Sequence, residues 1–426
     1  MTTADWPVPR LPVFGWHAWQ GPRQASLPCM LDLPGTVLTT SGRASITLAL
    51  EALGVRRGDA VLLPSYHCPT MVAPAAQLGA VPRFYAIDAR GTPDLDALER
   101  QDLSGVKAML AAHYFGLPQP MARIREWCER HRIALIEDCA HALFGVADGQ
   151  PIGSWGDAAI GSLTKFLPVP TGGCLVLRRP LQAPTMAGHG FKAQLKACLD
   201  IVEDGARHGR LGVLNPVVTA PLDLLRGRQG GDAAAEAQEA PDPGGDAAAP
   251  AISPIEAGLA IDMPLAHQRP AWACRAVAAR LPRHRVVETR RRHYTWLAQA
   301  LSGVPGLRPL LPDLPAGAAP YVMPLWVDRP DPGYHALRAQ RVPVFRWDWP
   351  WPDVPALPGD VGPTWSHHVI QLGCHQDLSE ADLRWIASTV CALVGRATGR
   401  PAPAGRVEAP DDGIAAARGP DAARMS

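Results

Sequence analysis

The segment that decides the fold is IALIEDCAHALFGVADGQPIGSWGDAAIGSLTKFLPVPTGG, residues 133–173. Its apolar start ends in a carboxylate, Asp138, and a lone lysine, Lys165, follows among apolar residues and prolines; the nearest lysines are Lys107 and Lys192. A carboxylate that ends a buried strand lies where open α/β sheets bind ligands. Lysines are rarely buried without a partner or a covalent task. The pair therefore indicates a Schiff-base site in which the acid holds the ring nitrogen of a cofactor.

Length and composition restrict the class of protein. The 426 residues allow two folded units, and the formal net charge of +1 gives no basic field, so we expect no nucleic-acid partner. The nine cysteines lack CxxC or Cys/His ligand spacing, which argues against a disulfide framework and a metal site. No signal-peptide pattern and no apolar run of membrane-spanning length is apparent. We expect a soluble cytoplasmic protein.

Apolar runs alternate with helical patterns in the first half of the chain. The alternation predicts βαβ units and a mainly parallel sheet, and functional residues belong at the carboxyl ends of its strands. The predicted strands lie at 60–64, 81–88, 106–116 and 133–138. Polar clusters follow these runs at SYHC (65–68), HYFG (113–116), EDCAH (137–141) and the Lys165 loop. We expect these clusters to meet at one sheet edge.

A helix start precedes this alternation. Ser41 and Gly42 stand before an apolar pattern that stops at Gly54, which gives a helix with both end signals. Its first N–H groups, including those of Gly42 and Arg43, would form an anion site. Taken alone, the segment favours an ordinary capped helix.

We predict five segments along the chain. The periodicity weakens after a predicted strand at 174–179, and the later low-complexity stretch lacks aromatic and most aliphatic bulk, which is typical of disorder. The segments are an N-terminal wrapping segment (1–36), a large α/β domain (37–226), a disordered insertion (227–254), connecting helices with a small C-terminal α+β domain (255–395) and a disordered tail (396–426).

The sequence offers candidate binding residues for the phosphate and for the ring of pyridoxal 5'-phosphate (PLP). Its phosphate needs donors without a competing carboxylate, which the helix start at Gly42 and the hydroxyl of Ser162 supply. One face of its ring needs a flat partner, for which Tyr66, His67 and His141 are candidates. A purely structural role for Tyr66 or His141 fits the sequence equally well.

Several motifs resemble those of the DegT/DnrJ/EryC1/StrS aminotransferases, the PLP enzymes of fold type I that aminate nucleotide-linked keto sugars. The order and spacing carry the resemblance: Asp138, then GSWGD, then Lys165, then a Gly pair. The motifs are SGRASITLALEALGV (41–55), GAVPRFYAID (79–88), IALIEDCAHALFG (133–145) and PIGSWGDAAIGSLTKFLPVPTGG (151–173). The resemblance implies a large, mainly parallel sheet domain, a smaller C-terminal α+β domain and a homodimer.

The resemblance also gives individual residues roles. Lys165 would form the Schiff base with PLP and transfer protons, and Asp138 would pair with the pyridinium nitrogen. His141 would lie near the ring hydroxyl of the cofactor. The phosphate would be bound by Gly42, Arg43 and Ser162.

The remaining motifs concern the cofactor ring and the substrate. Tyr66, His67 and Cys68 cover the place of the usual stacking aromatic residue, and Cys68 holds it in an ungapped alignment. Phe166 stands where the family usually has Asn, and Thr171 where it has an acid. The run WDWPWPD (347–353) is either a ring-stacking surface or a loop that packs on the core.

The predicted function is a ping-pong aminotransferase that moves an amino group from an amino acid, glutamate by expectation, to a nucleotide-linked keto sugar. A PLP-dependent sugar dehydratase or lyase is an alternative, because one fold supports several reactions. In the sugar 3-dehydratases of the family His replaces the lysine, so Lys165 favours transamination. A non-catalytic binding or regulatory protein is the second alternative, and the presence of both Asp138 and Lys165 argues against it.

Overall fold

Two main β-sheets and the helices around them make up the part of the chain that this computed structural model describes, residues 7–178, 180–182, 184–227 and 259–395. The strands are β1 (Val37–Thr39), β2 (Ala60–Pro64), β3 (Val81–Tyr85), β4 (Val106–Ala112), β5 (Ala134–Cys139), β6 (Val146–Ala147), β7 (Gln150–Pro151), β8 (Ala158–Ser162), β9 (Gly173–Leu177), β10 (Leu307–Pro309), β11 (Val322–Val327), β12 (Val344–Phe345) and β13 (Val369–Gly373). The α-helices are α1 (Gly42–Ala52), α2 (Pro69–Gln77), α3 (Leu95–Leu98), α4 (Met121–His131), α5 (Phe191–Arg207), α6 (Asn215–Gly227), α7 (Met263–Ala266), α8 (Trp272–Arg280), α9 (His284–Leu301), α10 (Gly333–Ala339), α11 (Gly362–His368) and α12 (Glu380–Val394).

The large sheet has seven strands in the order β1-β9-β8-β5-β4-β2-β3. The five strands from β8 to β3 run parallel to one another, whereas β9 is antiparallel to both of its neighbours. Helices α2, α3 and α4 lie in the crossovers that join β2 to β3, β3 to β4 and β4 to β5, whereas the connection from β5 to β8 contains the short strands β6 and β7. The carboxyl ends of β2, β4, β5 and β8 therefore share one edge, which confirms the predicted α/β fold class.

The smaller sheet is antiparallel, with the order β10-β11-β13-β12. It packs with α9 and α12 around a second apolar core that includes Leu325, Leu372 and Ile386. Ser379 begins α12 with a capping box, because its hydroxyl accepts from the Asp382 N–H and the Asp382 carboxylate accepts from the Ser379 N–H. This sheet is the predicted C-terminal α+β unit.

Two predicted strands end earlier than the sequence pattern suggests. The strand predicted at 81–88 ends at Tyr85, and the strand predicted at 106–116 ends at Ala112. Phe115 and Gly116 have φ angles of 61° and 90°, which no strand accommodates. A Cβ on Gly116 would lie 2.6 Å from both the His141 carbonyl oxygen and the Tyr321 nitrogen, so only glycine fits this turn.

Helix α5 is an element that the sequence analysis missed. Its buried residues are mostly small, such as Ala197 and Ala206, while Phe191, Leu195 and Leu199 are 81%, 49% and 50% exposed. Phe191, Leu195, Leu199 and Val202 recur at the spacing of one helical face, so the signal for an amphipathic helix was present in the sequence. The helix matters to the site because its first turns reach the cavity described below.

The predicted low-complexity insertion and the C-terminal tail lie outside the described residues, apart from Gly227 at the end of α6. Within the described ranges, none of the helices has both the length and the apolar character to cross a membrane. Of the predicted wrapping segment, residues 7–36 are described. They contact both cores through Val8, Leu11 and Phe14.

Candidate active site

A cavity of about 590 Å³ opens at the carboxyl edge of the large sheet. We call Asp138, His141, Ser162 and Lys165 the cavity floor, because they lie at or just after the carboxyl ends of β5 and β8. We call residues 345–349 together with Arg10 the cavity wall; they come from the small sheet and from the N-terminal segment. All of these residues line the cavity.

Asp138 lies near the carboxyl end of β5 and is only 4% exposed. One of its carboxylate oxygens accepts from the Ala140 N–H at 2.8 Å. Burial raises the pKa of Asp138, while the Ala140 N–H, Lys165 and His113 oppose that shift. A cation next to the other carboxylate oxygen would therefore stabilise the ionised form of Asp138 and offset the cost of its burial.

Lys165 lies in the turn that follows β8, and its Nζ is 5.1 Å from the ring centroid of Tyr321. Arg290, a fully buried side chain of α9, donates from Nη2 to the Lys165 carbonyl oxygen at 2.6 Å. Gln376 donates to the Phe166 carbonyl at 2.9 Å and accepts from Arg290 Nε. The backbone around the lysine is thus fixed from the C-terminal half of the chain.

Phe166, the departure from the family motif, belongs to this same contact. Its ring is fully buried, and the Arg290 guanidinium lies 4.5 Å over the ring centroid. The ring also packs edge-on against Phe144. Phe166 therefore supports the lysine turn from beneath, and it does not line the cavity.

His141 is held as a neutral ring with a defined tautomer. The Phe115 N–H donates to His141 Nδ1 at 3.3 Å, so Nδ1 is an acceptor and the ring proton is on Nε2. Burial lowers the pKa of His141 well below its ordinary value, and Lys165 adds to the shift. The left-handed turn at Phe115 and Gly116 thus supplies a hydrogen-bond donor to the cavity floor.

The start of α1 and the end of β8 form a donor-rich corner. The Ser41 hydroxyl accepts from the Ala44 N–H, which leaves the N–H groups of Gly42 and Arg43 ahead of the intrahelical ladder. A Cβ on Gly42 would lie 3.7 Å from the Ser162 Cβ, so helix start and serine are neighbours. The predicted helix start is confirmed, and the corner suits an anion.

Thr164 is a cavity residue that sequence reasoning missed. Its hydroxyl oxygen lies 3.3 Å from the Ser162 hydroxyl oxygen, so the two side chains share one face of the corner. The signal was present in the sequence, because Thr164 directly precedes Lys165. Arg43 also lines this corner; burial lowers the pKa of its guanidinium, and Nη1 donates to the Leu259 carbonyl at 3.4 Å.

Tyr66 and His67 do not reach the cavity, contrary to the stacking role considered for them. Tyr66 is fully buried and its hydroxyl accepts from Gln371 Nε2 at 3.2 Å. His67 stacks on Phe84 at 5.1 Å. The cavity residue of this loop is Cys68.

Sequence reasoning missed Arg10, Phe345 and Arg346 of the cavity wall, whereas residues 347–349 belong to the WDWPWPD run. Trp347 packs 4.9 Å from the Tyr66 ring and 5.1 Å from the His141 ring, so it joins wall to floor. Asp348 accepts from Arg346, and Trp349 lines the cavity. The WDWPWPD run therefore packs on the core through Trp347, and it also lines the cavity; a ring-stacking role stays a prediction.

Glu137, beside Asp138, connects the strands beneath the floor. Its carboxylate accepts from His113 Nε2 at 2.9 Å and from the N–H groups of Gly153 at 2.7 Å and Trp155 at 2.9 Å. The donor atoms of His113, Glu137 and Cys139 lie within 4.8 Å of one another. Because the carboxylate already accepts these hydrogen bonds, we interpret the group as structural support for β4, β5 and the approach to β8.

The fold and the site define a class of protein. An acid at the end of β5, a lysine after β8 and an anion corner at the start of α1 occur on a fold-type-I α/β scaffold with a smaller C-terminal unit. Solved structures with this fold include the aminotransferase TlmJ from Streptoalloteichus hindustanus, with TM-score 0.54, 23% identity and coverage of 84% of this chain and 85% of that chain. S. venezuelae DesV gives TM-score 0.55 at 20% identity, with 85% of each chain covered.

Residues 33–197 match the model of the DegT/DnrJ/EryC1/StrS aminotransferase family, which confirms the resemblance read from the motifs. Protein MosB of Rhizobium meliloti is 37% identical over 153 residues, 35% of this chain and 30% of that protein. The L-glutamine:2-deoxy-scyllo-inosose aminotransferase of Streptomyces kanamyceticus is 35% identical over 153 residues, 35% of this chain and 36% of that protein. The match thus spans about a third of the length of these relatives.

Proposed function

We propose that this protein is a PLP-dependent aminotransferase that transfers an amino group from an amino acid, glutamate in this proposal, to a nucleotide-linked keto sugar. The observation that carries the proposal is the meeting of Lys165, Asp138 and the α1 anion corner in one cavity. The activities named for two relatives support the proposal. One acts on a scyllo-inosose with L-glutamine, and another, at 30% identity over 130 residues, is the GDP-perosamine synthase of Vibrio cholerae.

The residues of the cavity fit PLP group by group. The N–H groups of Gly42 and Arg43 and the hydroxyls of Ser162 and Thr164 would hold the phosphate. Asp138, buried and with a raised pKa, would hold a proton at the ring nitrogen. When bound, the cofactor supplies an aldehyde carbon that accepts the amino group and passes it on, and a ring that accepts electron density.

The protein's own residues would perform the remaining tasks. Lys165 Nζ would attach the cofactor and move a proton to and from the substrate carbon. His141, neutral with its proton on Nε2, would donate a hydrogen bond toward the ring hydroxyl of the cofactor. The clamp from Arg290 keeps the lysine turn in place through both half-reactions of a ping-pong cycle.

The proposal is tested with Lys165→Ala and a matched control, Lys107→Ala. Lys107 is an exposed lysine near the amino end of β4, away from the carboxyl edge of the sheet where the cavity opens. We expect wild type and Lys107→Ala to show the visible absorbance band of the lysine-bound cofactor and to turn over. Lys165→Ala should lose both. Full turnover by Lys165→Ala would refute the assignment.

Product analysis separates the reaction classes. With glutamate and a keto-sugar nucleotide, a transaminase releases 2-oxoglutarate, whereas a PLP-dependent dehydratase or lyase does not. A wild-type preparation that never binds PLP would instead favour a non-catalytic binding protein. Glutamine, the donor named for one relative, is the second donor to assay.

We further propose that the enzyme is a cytoplasmic homodimer. Apolar side chains of α5 and α6 are exposed in one neighbourhood, and these two helices contact each other; they are Phe191, Leu195, Leu199, Val217 and Leu224. A second copy of the chain would remove this surface from water. The nine unbridged cysteines suit a reducing compartment. A monomer in analytical ultracentrifugation at micromolar concentration would rule out the dimer.

A further inference from the structure

Gln371 is a glutamine of the small sheet that lines the cavity. It lies on β13 and is fully buried. In the antiparallel pairing of β12 with β13 it stands directly opposite Phe345, which also lines the cavity. Directly opposite residues of an antiparallel pair project their side chains from the same face of the sheet. The small sheet therefore presents an amide and an aromatic ring to the cavity side by side.

The amide of Gln371 is paired at one end and unpaired at the other. Its Nε2 donates to the Tyr66 hydroxyl oxygen at 3.2 Å. Its Oε1 is buried and has no hydrogen-bond partner among the described residues. An unpaired buried carbonyl oxygen costs free energy, and nearly all such groups in folded proteins have a partner. The oxygen therefore requires a donor that the described part of the chain does not supply.

The position of this oxygen is fixed before any ligand binds. Tyr66 is itself fully buried, and its ring packs 4.9 Å from the Trp347 ring and edge-on against Trp365 at 5.4 Å. The hydroxyl that holds Gln371 Nε2 thus cannot move without disturbing these rings. A preorganised acceptor loses little conformational entropy when it binds a donor.

The chemistry around Gln371 favours a sugar as the source of that donor. The carboxylates of an amino acid cannot donate at neutral pH, and its ammonium group pairs best with a charged acceptor, which an amide is not. A sugar hydroxyl is a neutral donor. Trp347 lines the cavity and contacts the same Tyr66 that holds Gln371, so an aromatic surface lies beside the amide. An apolar surface with a few fixed polar atoms is typical of a site for a small polar ligand.

We propose that Gln371 Oε1 accepts a hydrogen bond from a hydroxyl group of the keto-sugar acceptor. This inference rests on the proposed aminotransferase function and names a residue that selects its second substrate. A site built to hydrogen-bond a hydroxyl discriminates against an analogue without it, because the buried acceptor then stays unpaired in the complex. Gln371 thereby favours hydroxylated acceptors over their deoxy analogues.

The experiment measures the binding of two sugar nucleotides to the holoenzyme by isothermal titration calorimetry. The probes are dTDP-4-dehydro-6-deoxy-D-glucose and dTDP-4-dehydro-2,3,6-trideoxy-D-glucose, which differ only in two ring hydroxyl groups that the second sugar lacks. No amino donor is present, so the titration reports binding without turnover. The quantity of interest is the ratio of the two Kd values, because a general loss of affinity leaves it unchanged.

Three variants and one control isolate the amide oxygen. Gln371→Leu removes it, and Gln371→Met does so with an unbranched side chain of similar length, should the leucine variant fail to fold. Gln371→Glu keeps a side-chain oxygen as acceptor. The matched control is Gln119→Leu, because Gln119 is also buried but its Oε1 already accepts from the Thr92 hydroxyl at 2.9 Å, and it does not line the cavity.

We expect the wild type to bind the hydroxylated sugar about 10- to 100-fold more tightly than the trideoxy sugar, the range typical of leaving a buried acceptor unpaired. Gln371→Leu and Gln371→Met should bind the two sugars within about three-fold of each other, since neither variant has an acceptor to leave unpaired. Gln371→Glu and Gln119→Leu should keep the preference of the wild type. The cofactor absorbance band verifies that each variant is folded and loaded.

Three results would overturn the inference. The first is a wild type that binds both sugars equally or binds neither, as when a water molecule already pairs with Oε1 in every complex. The second is an unchanged preference in a folded Gln371→Leu or Gln371→Met. The third is an equal loss of preference in Gln119→Leu. Failure of the proposed function looks different, because the wild type then lacks the cofactor absorbance band or forms no 2-oxoglutarate from glutamate, a half-reaction without the sugar.

Discussion

The cavity floor and the cavity wall differ in how the chain builds them. The floor comes from one segment of the large sheet, because Asp138 and Lys165 follow the neighbouring parallel strands β5 and β8. The wall comes from Arg10 and residues 345–349, which lie far apart in the sequence and meet where Arg10 contacts the Phe345 ring. Chemistry encoded in one compact segment can remain constant while a wall assembled from distant segments changes. We therefore expect the floor to set the reaction and the wall to set the substrate.

The two regions are nevertheless held together at defined contacts. Arg290 and Gln376, from the C-terminal half, hydrogen-bond to the backbone carbonyls of Lys165 and Phe166. Trp347 packs on His141, and the Trp351 N–H donates to His67 beneath the floor. The floor can therefore set the reaction and the wall the substrate only while these contacts between them stay intact. The predictions below test that division, beginning with the largest effect.

Asp138→Asn should give the largest change, a loss of about 10²- to 10³-fold in kcat, typical of removing one electrostatic partner from a catalytic site. Asparagine keeps the shape of aspartate and its acceptor for the Ala140 N–H, but it has no charge to hold a proton at the cofactor ring. The measurement is the donor half-reaction, followed by the cofactor absorbance band. The KM for the keto sugar should change little.

Asp200→Asn is the matched control, because Asp200 also lines the cavity but lies on α5, away from β5. It should retain kcat within about two-fold, since a partly exposed ion pair with Lys196 contributes little. Equal losses in the two variants would contradict a special role for Asp138.

Most of the floor could be predicted from the sequence because its determinants are local. The strand-helix alternation places Asp138 and Lys165 at one edge, and Ser41 with Gly42 marks the start of α1. The stacking role considered for Tyr66 illustrates the limit. The loop pattern alone does not show that Tyr66 packs inward against Trp347, 281 positions along, while Cys68 lines the cavity.

Only part of the wall has a local signal, the WDWPWPD run, and nothing local indicates that Arg10 joins it. Arg10 reaches the cavity only because Pro9 and Val13 are tied to His375 and Asp377, and such pairings leave no periodic pattern in the sequence. Tertiary contacts therefore decide where Arg10 lies, and local propensity does not contain them. Helix α5 is a different case, because its apolar residues recur at helical spacing and a local signal for it was present in the sequence.

The next prediction concerns pH, through His67 at the junction of floor and wall. Burial lowers the pKa of His67 to about 4, outweighing its backbone hydrogen bonds. Because the folded pKa lies below the ordinary 6.5, the unfolded chain binds more protons between those values. The stabilising contribution is complete above about pH 6.5 and declines as the pH falls toward 4. We expect about 1–3 kcal/mol of unfolding free energy to depend on it.

His67→Gln isolates this contribution. Glutamine can donate to the Pro64 carbonyl and accept from the Trp351 N–H, as the neutral ring does, but it does not titrate in this range. Urea unfolding at pH 7 and pH 5 should show a smaller pH dependence in the variant than in wild type. An identical pH dependence in both proteins would contradict this prediction, because it would mean that the pKa of His67 is the same in the folded and the unfolded chain.

The smallest predicted effect is that of Trp349→Ala on the wall. The half-buried Trp349 lines the cavity, and its ring makes no contact with another aromatic ring among the described residues. An aromatic surface contributes about 1 kcal/mol beyond area burial when a ring-shaped partner lies on it, or about five-fold in binding. We expect the KM for the keto sugar to rise about five-fold, the donor half-reaction to stay unchanged, and Trp349→Phe to retain most of the wild-type KM. A loss of kcat comparable to that of Asp138→Asn would mean that wall and floor act as one unit in the reaction, and the division between them would then be wrong.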